Sequence, residues 1–239
     1  MDTKLYQEFA KEKLGFSFKD INLLVTALTH RSYVHEHKMT HEHNERLEFL
    51  GDAVLELVSS DFLYRNYDEP EGVMTALRAA LVRTESIGDA GKKLGYEPLV
   101  RMSHGEEKGP ERAHDVILAD CFEAVIGAIY LDQGYETAKD FIYKNIIVKI
   151  DEIIEEETWR DPKSYVQELA QKIDGVTPVY RTLDERGPDH DKMFTVGVFV
   201  NEALIGKGSG HSKQEAQTAA ARQGVKKYRE RNSAVDKKA

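Results

Sequence analysis

The sequence predicts two domains, an all-α domain over residues 1–157 and a small α+β domain of order α-β-β-β-α over residues 162–231. The chain has 239 residues, which is enough for two domains of ordinary size. Apolar residues recur every three or four positions up to about residue 157, and short alternating segments follow. The net charge is −12 over residues 1–160 and +3 over residues 161–239. This change of sign indicates two domains with different partners.

Turn signals divide the first domain into helices. Glycine or proline interrupts the helical pattern at five places: Gly15, residues 67–72, residues 95–98, residues 105–112 and Gly134. The intervening segments keep the helical spacing of apolar residues, and hardly any of them alternates as a strand would. The first domain is therefore predicted to be all helical.

Residues 158–161 are predicted to be a linker to the second domain. Asp161 followed by Pro162 is typical of a helix start, because aspartate caps the free N–H groups and proline is accepted at the first helical position. Gly175 is typical of the end of that helix.

Three segments rich in β-branched and aromatic residues follow, and they predict a three-stranded antiparallel sheet: residues 178–184, 193–200 and 203–208. Asn201 and Glu202 form the predicted tight turn between the last two strands. Ser212 and Glu215 predict a capping box that opens a final helix. Residues 232–239 are predicted to be a disordered tail.

Composition favours a soluble protein of the cytoplasm. Hydrophobic residues make up 41% and charged residues 31% of the chain, and no apolar run approaches the roughly 20 residues that span a bilayer. The single cysteine, Cys121, lies inside an apolar run. A reducing compartment is therefore expected, with Cys121 a small buried hydrophobic residue.

The stretch NERLEFLGDAVLEL, residues 44–57, carries four acids on one side of a predicted helix: Glu45, Glu48, Asp52 and Glu56. The opposite side is apolar and is expected to face the core: Leu47, Leu50, Val54 and Leu57. Phe49 borders the acidic side, where an exposed aromatic residue indicates a partner surface. Taken alone, such an acidic face is either a solvated surface or half of a metal site.

A second stretch, ILADCFEAVIGAIYL (117–131), favours the metal site. Only Asp120 and Glu123 interrupt its apolar and glycine residues, and their spacing of three puts them on one helix face. An unpaired carboxylate in a buried helix is costly, so a positive partner is required. The candidate partners are the arginines Arg46, Arg78 and Arg83. The alternative is one Mg²⁺ held by four acids: Glu48, Asp52, Asp120 and Glu123.

Two other motifs could bind metal, but their sequence support is weaker. HEHKMTHEH, residues 35–43, spaces its histidines by two within a loop, where solvated side chains are the simpler interpretation. His114 and Asp115 resemble the dyad of HD phosphohydrolases, which would have to recruit His30 and Asp132 without local support. Metal-assisted hydrolysis by the four acids is the best chemistry.

The acid-bearing segments and their neighbours resemble the ribonuclease III family. The matching segments occur in family order: LTHRSY (28–33), HNERLEFLGDAVLEL (43–57), EGVMTALRAALV (71–82) and ILADCFEAVIGAIYLD (117–132). Residues 161–221 resemble a double-stranded-RNA-binding domain. The resemblance covers the chain apart from its tail and implies an all-α endonuclease domain joined to an RNA-binding domain.

The resemblance implies a homodimeric endoribonuclease that uses Mg²⁺, or Mn²⁺ in its place, to cut both strands of double-stranded RNA. The products would carry 5′-phosphates and short 3′ overhangs, and the substrates would include ribosomal and other RNA precursors. A catalytically silent RNA-binding dimer is disfavoured because all the matching acids are present.

Residue roles follow from the same resemblance. The implied metal ligands are Glu48, Asp52, Asp120 and Glu123, with Asp52 and Glu123 catalytic. Glu45 and Glu71 are implied as supporting acids and Phe49 as part of the dimer interface, whereas Glu56 is expected to be plain solvated surface.

The second domain is implied to bind double-stranded RNA by shape, across two minor grooves and the phosphates between them. Gln167 and Glu168 would face one minor groove and His190 the next, while Lys213 would contact the bridging phosphates. Gln214 departs from the family pattern, because a second lysine is common at its position.

Overall fold

The computed structural model describes residues 3–38, 42–188 and 192–236. It divides into two compact units, Met1–Trp159 and Arg160–Ala239. In the described ranges, no helix combines the length and the apolar character needed to cross a membrane.

The first unit is helical, as predicted. Its α-helices are α1 (Lys4–Phe9), α2 (Ile21–Ala27), α3 (Arg31–Glu36), α4 (Glu45–Asn66), α5 (Glu71–Leu81), α6 (Thr84–Leu94), α7 (His104–Glu107), α8 (Glu111–Gln133), α9 (Tyr135–Asn145) and α10 (Ile150–Glu155). Shorter helical turns cover Ala10–Leu14, Glu97–Leu99 and Ile147–Lys149. The described part of this unit has no strand beyond an isolated bridge between Thr29 and Arg101.

Helix α8 runs through the centre of the first unit. It packs against α2, α4, α6 and α9, so it has neighbours on most sides. From Ile117 to Ile129 every residue is buried except Asp120 and Glu123, which are half-buried. A helix that is apolar all round is expected in this position, and its two acids are therefore the exceptions that need a physical account.

Helix α4 buries one side and exposes another. Leu47 and Val54 are buried, as predicted, but Leu57 is 57% exposed, so its predicted core position was wrong. Leu57 shares an exposed face with Phe49 and Tyr64, which are 81% and 78% exposed. Periodicity predicts the direction in which a side chain leaves the helix, but it does not predict whether another element packs on that side.

The second unit has the predicted order α-β-β-β-α. Its elements are α11 (Pro162–Asp174), β1 (Val179–Arg186), β2 (Met193–Val200), β3 (Ala203–Gly210) and α12 (Lys213–Asp236). The strands form one antiparallel sheet in the order β1-β2-β3. Helices α11 and α12 pack together, and the core between them and the sheet includes Val166, Val198 and Ala220.

The predicted capping and turn residues act as expected in this unit. Asp161 Oδ1 accepts a hydrogen bond from the Ser164 N–H at 2.8 Å, and Gly175 ends α11 with φ of 72°. Asn201 and Glu202 have φ of 48° and 65°, as a tight hairpin turn with the favoured twist requires.

The start of α12 also carries its predicted cap. The Ser212 Oγ accepts a hydrogen bond from the Glu215 N–H at 3.1 Å, while a Glu215 carboxylate oxygen accepts one from the His211 N–H at 2.9 Å. The helix continues to Asp236, past residue 231 where the domain was predicted to end.

Candidate active site and nucleic-acid interface

Helices α4 and α8 touch at two glycines. A Cβ atom added at Gly51 would lie 1.7 Å from the backbone oxygen of Glu123, and one added at Gly127 would lie 2.3 Å from that of Leu47. Real side chains do not approach backbone this closely, so only glycine fits at either position. The contact brings Glu48 and Asp52, which flank Gly51, beside the acids of α8.

The four acids Glu48, Asp52, Asp120 and Glu123, hereafter the acidic cluster, interact electrostatically. Burial raises the pKa of Glu123 to about 8, with further increases from the charges of Asp52, Glu48 and Asp120. Burial likewise raises the pKa of Glu48 to about 7, helped by the charges of Asp120, Glu45 and Asp52. The pKa of Asp120 is also raised, first by burial and then by Glu45. The cluster therefore concentrates negative charge that is poorly solvated.

The three arginines considered as partners of these acids lie elsewhere. Arg78 Nε is 2.8 Å from Glu56 Oε2, and Arg46 Nη1 is 3.2 Å from Glu42 Oε1. Arg83 immediately precedes α6 and lies near Lys149, whose pKa is lowered first by burial and further by the charges of Lys93 and Arg83. Within the ranges that the structure describes, no lysine or arginine forms a salt bridge with a member of the acidic cluster. The ion-pair interpretation is therefore not supported for these three arginines.

One cation does approach the edge of the cluster. Arg31 Nη1 lies 3.3 Å from Glu45 Oε1, and its charge works to lower the pKa of Glu48 and of Asp120. These effects are smaller than those of burial, so the pKa of each acid remains raised. Glu45 is therefore ion-paired with Arg31, and the charges of both residues act on Glu48 and Asp120.

A cavity of about 650 Å³ opens beside the cluster. Glu48 and Asp120 line it, together with the supporting acid Glu45. Asn44 and His30 also line it, although the sequence interpretation gave neither a role in this site. Asn44 belongs to the motif HNERLEF and His30 to the motif LTHRSY. Their place in these motifs could have indicated that they lie at the site.

Asn44 is 1% exposed, and its Oδ1 has no hydrogen-bond partner within the described residues. Its Nδ2 lies 3.8 Å from Cys121 Sγ. Asn44 therefore contacts both the cavity and the buried thiol. Cys121 itself is completely buried, as predicted, and burial raises its pKa far above the ordinary value.

The donor set fits a hard divalent cation. Such ions prefer carboxylate oxygens, and a charge of +2 would offset the repulsion that raises these pKa values. No group of three His, Cys, Asp or Glu side chains in the described part of the chain is already gathered in ligand geometry. The structure thus brings suitable donors together without closing a coordination shell around them.

Two predicted residues lie apart from this cavity. Glu71, predicted as a supporting acid, lines a separate cavity of about 270 Å³ with Tyr64 and Arg78. Glu56, expected to be plain surface, is instead ion-paired with Arg78. That prediction was wrong because the partner lies on α5, which the spacing within α4 could not reveal.

The residues of the HD-type alternative each form contacts in a different place. His114 Nε2 lies 2.7 Å from the Glu106 carbonyl oxygen, and Asp115 Oδ1 lies 2.5 Å from Lys92 Nζ. Asp132 accepts hydrogen bonds from the N–H groups that precede α2, those of Lys19 and Asp20, at 2.9 and 2.8 Å. The structure therefore does not gather an HD site from these side chains.

The second unit carries most of the residues predicted to contact RNA. Gln167 and Glu168 are exposed on α11, and Lys213 is exposed at the first turn of α12. Glu168 Oε2 lies 3.2 Å from Arg160 Nη1, and Lys213 Nζ lies 3.1 Å from Glu185 Oε1. His190 lies outside the described residues.

Gln214, the departure from the family pattern, lines a groove of about 520 Å³ beside α12. Ser212 and Thr218 line the same groove, and Arg222 adds a positive charge to it. The sequence interpretation did not single out Arg222, which lies two helical turns beyond Gln214 and outside any quoted contact motif.

Comparisons with known proteins give consistent matches for both units. A family model described as ribonuclease-III-like matches residues 20–150, and a double-stranded RNA binding motif matches residues 162–228. A protein named ribonuclease 3 from Desulforamulus reducens is 46% identical over 215 residues, which are 89% of this chain and 87% of the relative. Another of that name from Protochlamydia amoebophila is 45% identical over 210 residues, which are 87% of this chain and 86% of the relative.

A solved structure also resembles the first unit. It is the nuclease domain of ribonuclease III from Campylobacter jejuni, described as flexible in a region involved in dimer formation. The match has 41% sequence identity and a TM-score of 0.52, and covers 58% of this chain and 96% of the solved chain.

Proposed function

The chain belongs to the ribonuclease III family and is an endoribonuclease of that type, and from this premise we propose that it uses Mg²⁺ to cleave both strands of double-stranded RNA. The acidic cluster is the observation that carries this proposal. Glu48 and Asp120 line an open cavity beside the contact between α4 and α8, and the pKa values of Glu48, Asp120 and Glu123 are raised by burial and by neighbouring carboxylates. A divalent cation would relieve that repulsion.

The role proposed for each acid follows from its position. Glu48 and Asp120, which line the cavity, hold the cation together with Glu123 and with Asp52, which lies on the exposed side of α4 and is also proposed to be catalytic. When bound, Mg²⁺ polarises a phosphodiester oxygen and lowers the pKa of a water. Glu123, whose charge interacts with those of Asp52, Glu48 and Asp120, orients the attacking water and accepts its proton as a general base. In-line attack on phosphorus expels the 3′-oxygen and leaves a 5′-phosphate.

The second unit supplies affinity for the substrate in this proposal. Residues 1–160 carry a net −12 and would repel RNA, whereas residues 161–239 carry +3. Gln167, Glu168 and Lys213 are its proposed contacts, and double-stranded segments of ribosomal and other precursor RNA are the proposed substrates. The cytoplasm is the proposed location. Mn²⁺ takes similar oxygen ligands and is expected to substitute for Mg²⁺.

Cleavage is expected to require both a duplex and a divalent cation. Long duplex RNA should be cut to short fragments with Mg²⁺ and remain intact in EDTA. Lowering the pH from about 8 to about 6 should raise the Mg²⁺ concentration needed for half-maximal cleavage, because Glu123 and Glu48, with pKa values of about 8 and about 7, take up protons that compete with the cation. Gel electrophoresis of the RNA measures each result.

The single strands of the same duplex are the control for this assay. If they are cut as fast as the duplex, the proposed substrate class is wrong. Cleavage that persists at full rate in EDTA would instead remove the proposed role of the acidic cluster.

We also propose that the protein works as a homodimer, with one acidic cluster for each RNA strand and short 3′ overhangs as the result. The support is the exposed apolar face of α4, where Phe49, Leu57 and Tyr64 lie on the same side of the helix. Such faces on soluble proteins usually meet a partner. The face borders the acidic side of the same helix, so an interface there would lie close to the cluster.

Phe49→Asp is expected to produce monomers, since a charge placed within an apolar interface would have to be desolvated on association. Equilibrium sedimentation should then give the mass of one chain, 27.1 kDa, where the wild type gives twice that mass. Val148→Asp is the matched control, because Val148 is 68% exposed and lies outside α4. A wild-type mass of 27.1 kDa at micromolar concentration would rule the dimer out.

A further inference from the structure

Glu185 holds two lysines of the second unit at once. It lies near the end of β1, and its Oε1 is 3.1 Å from Lys213 Nζ. Its Oε2 is 3.7 Å from Lys192 Nζ. One carboxylate therefore shares its two oxygens between the first residue of α12 and the residue just before β2.

An aromatic ring completes this arrangement. Phe194 on β2 is the cross-strand partner of Glu185 on β1. The ammonium nitrogens of Lys213 and Lys192 lie 5.5 and 5.9 Å from the centre of the Phe194 ring, within the range of cation–π attraction. Strand register thus places a carboxylate and a ring side by side, and together they bind two cations.

We propose that Glu185 is an internal competitor of RNA phosphate, which occupies Lys213 in the free protein and lowers its affinity for duplex RNA. This inference rests on the proposed function, in which Lys213 contacts phosphate. A carboxylate offers the ammonium group the same kind of anionic oxygen that a phosphate does. Each RNA-binding event then exchanges the Glu185 contact for a phosphate contact, so part of the binding free energy is used to release Lys213.

The expected change in RNA affinity is small because the two side chains are partly exposed. The Glu185 and Lys213 side chains are 37% and 58% exposed, so water screens their attraction and the pair is only moderately stable. Removing the competing charge is therefore expected to tighten binding about two- to fivefold. The affinity for RNA should also fall more steeply with salt concentration, because Lys213 no longer has to leave Glu185 before it binds a phosphate.

Another ion pair of this domain provides a matched control. Glu202 binds Arg181 through two contacts of 2.6 Å, and Arg181 lies 5.0 Å from the centre of the Phe199 ring. The arrangement of acid, cation and ring is the same, but it lies at the β2–β3 turn, at the other end of β2 from Lys192. Glu202→Gln changes the net charge as Glu185→Gln does, without freeing Lys213.

The test measures binding of the full chain to a fluorescent RNA duplex of about 20 base pairs, in EDTA and over a range of salt concentrations. Glu185→Gln should bind about two- to fivefold more tightly than wild type, whereas Glu202→Gln should stay within about 1.5-fold. Adding Lys213→Gln to the Glu185→Gln variant should abolish the gain.

Three results would overturn the inference: Glu185→Gln binding no more tightly than Glu202→Gln, Glu185→Gln binding more weakly than wild type, or a gain that survives in the double variant. The second result would mean that Glu185 orients Lys213 for RNA and does not compete for it. If the wild type fails to bind duplex RNA, the proposed function fails, and this outcome is distinct from all three.

Discussion

Replacing Glu123 with glutamine is expected to reduce cleavage of duplex RNA by at least about 100-fold, with binding of the duplex unchanged. Glutamine keeps the shape of the side chain but can neither carry the negative charge nor accept a proton from the attacking water. Glu123 has the most strongly raised pKa of the acidic cluster, and it lies beside the point where α4 and α8 touch. Single-turnover cleavage of labelled duplex RNA measures the loss.

The matched control for this variant is Glu111→Gln, the same substitution at an exposed position at the start of the same helix. It should cleave at the wild-type rate. Thermal unfolding separates chemistry from folding, because removing one of several repelling half-buried charges should leave the metal-free Glu123→Gln protein at least as stable as the wild type. Wild-type cleavage by Glu123→Gln would refute its catalytic role.

The second large effect is expected for Gly51→Ala, which adds only one methyl group. That methyl carbon would lie 1.7 Å from the Glu123 backbone oxygen, so α4 and α8 would have to separate along their whole contact. Overpacking in a well-packed core costs about 1–3 kcal/mol and occasionally more, and the upper end is expected here because the methyl group would meet backbone, which cannot rotate away. Cleavage should fall as well, because the acids of the two helices move apart.

Urea unfolding measures the change in stability, and Gly72→Ala is its control. Gly72 lies within α5, and a Cβ atom there meets nothing within 4 Å. Since alanine favours helix over glycine, Gly72→Ala should be neutral or stabilising by up to about 1 kcal/mol. If Gly51→Ala unfolds at the wild-type urea concentration and cleaves normally, the close contact between α4 and α8 does not position the site.

The sequence was informative about the acidic cluster because burial and charge conflict within a single helix. Asp120 and Glu123 interrupt an otherwise apolar stretch, and this conflict predicted that they need a positive partner before any neighbour was known. Helical spacing likewise predicted which acids of α4 share a face. Both inferences depend only on residues close together along the chain.

The predictions that failed concern neighbours that lie far apart along the chain. Leu57 is exposed because no element in the described ranges covers that side of α4, and Glu56 is ion-paired because Arg78 reaches it from α5. Neither fact follows from the period of one helix. The contact between Lys213 and Glu185 was also missed, since it depends on how β1 and the start of α12 are brought together.

Gly51 and Gly127 were missed for a different reason. A glycine inside a helix usually weakens it, and no charge or motif rule gives it a role in catalysis. Its importance appears only when the second helix is in place, because the missing side chain is what allows the two backbones to touch.

The burial of Cys121 gives the protein a built-in chemical reporter. It is the only cysteine of the chain, it is completely buried, and it lies between Asp120 and Glu123 on α8. A thiol-specific reagent can reach it only when the core around α8 opens transiently. The labelling rate of the chain therefore reports how often the core opens. A ligand that stabilises α8 would slow the labelling, and no engineered probe is needed to measure this.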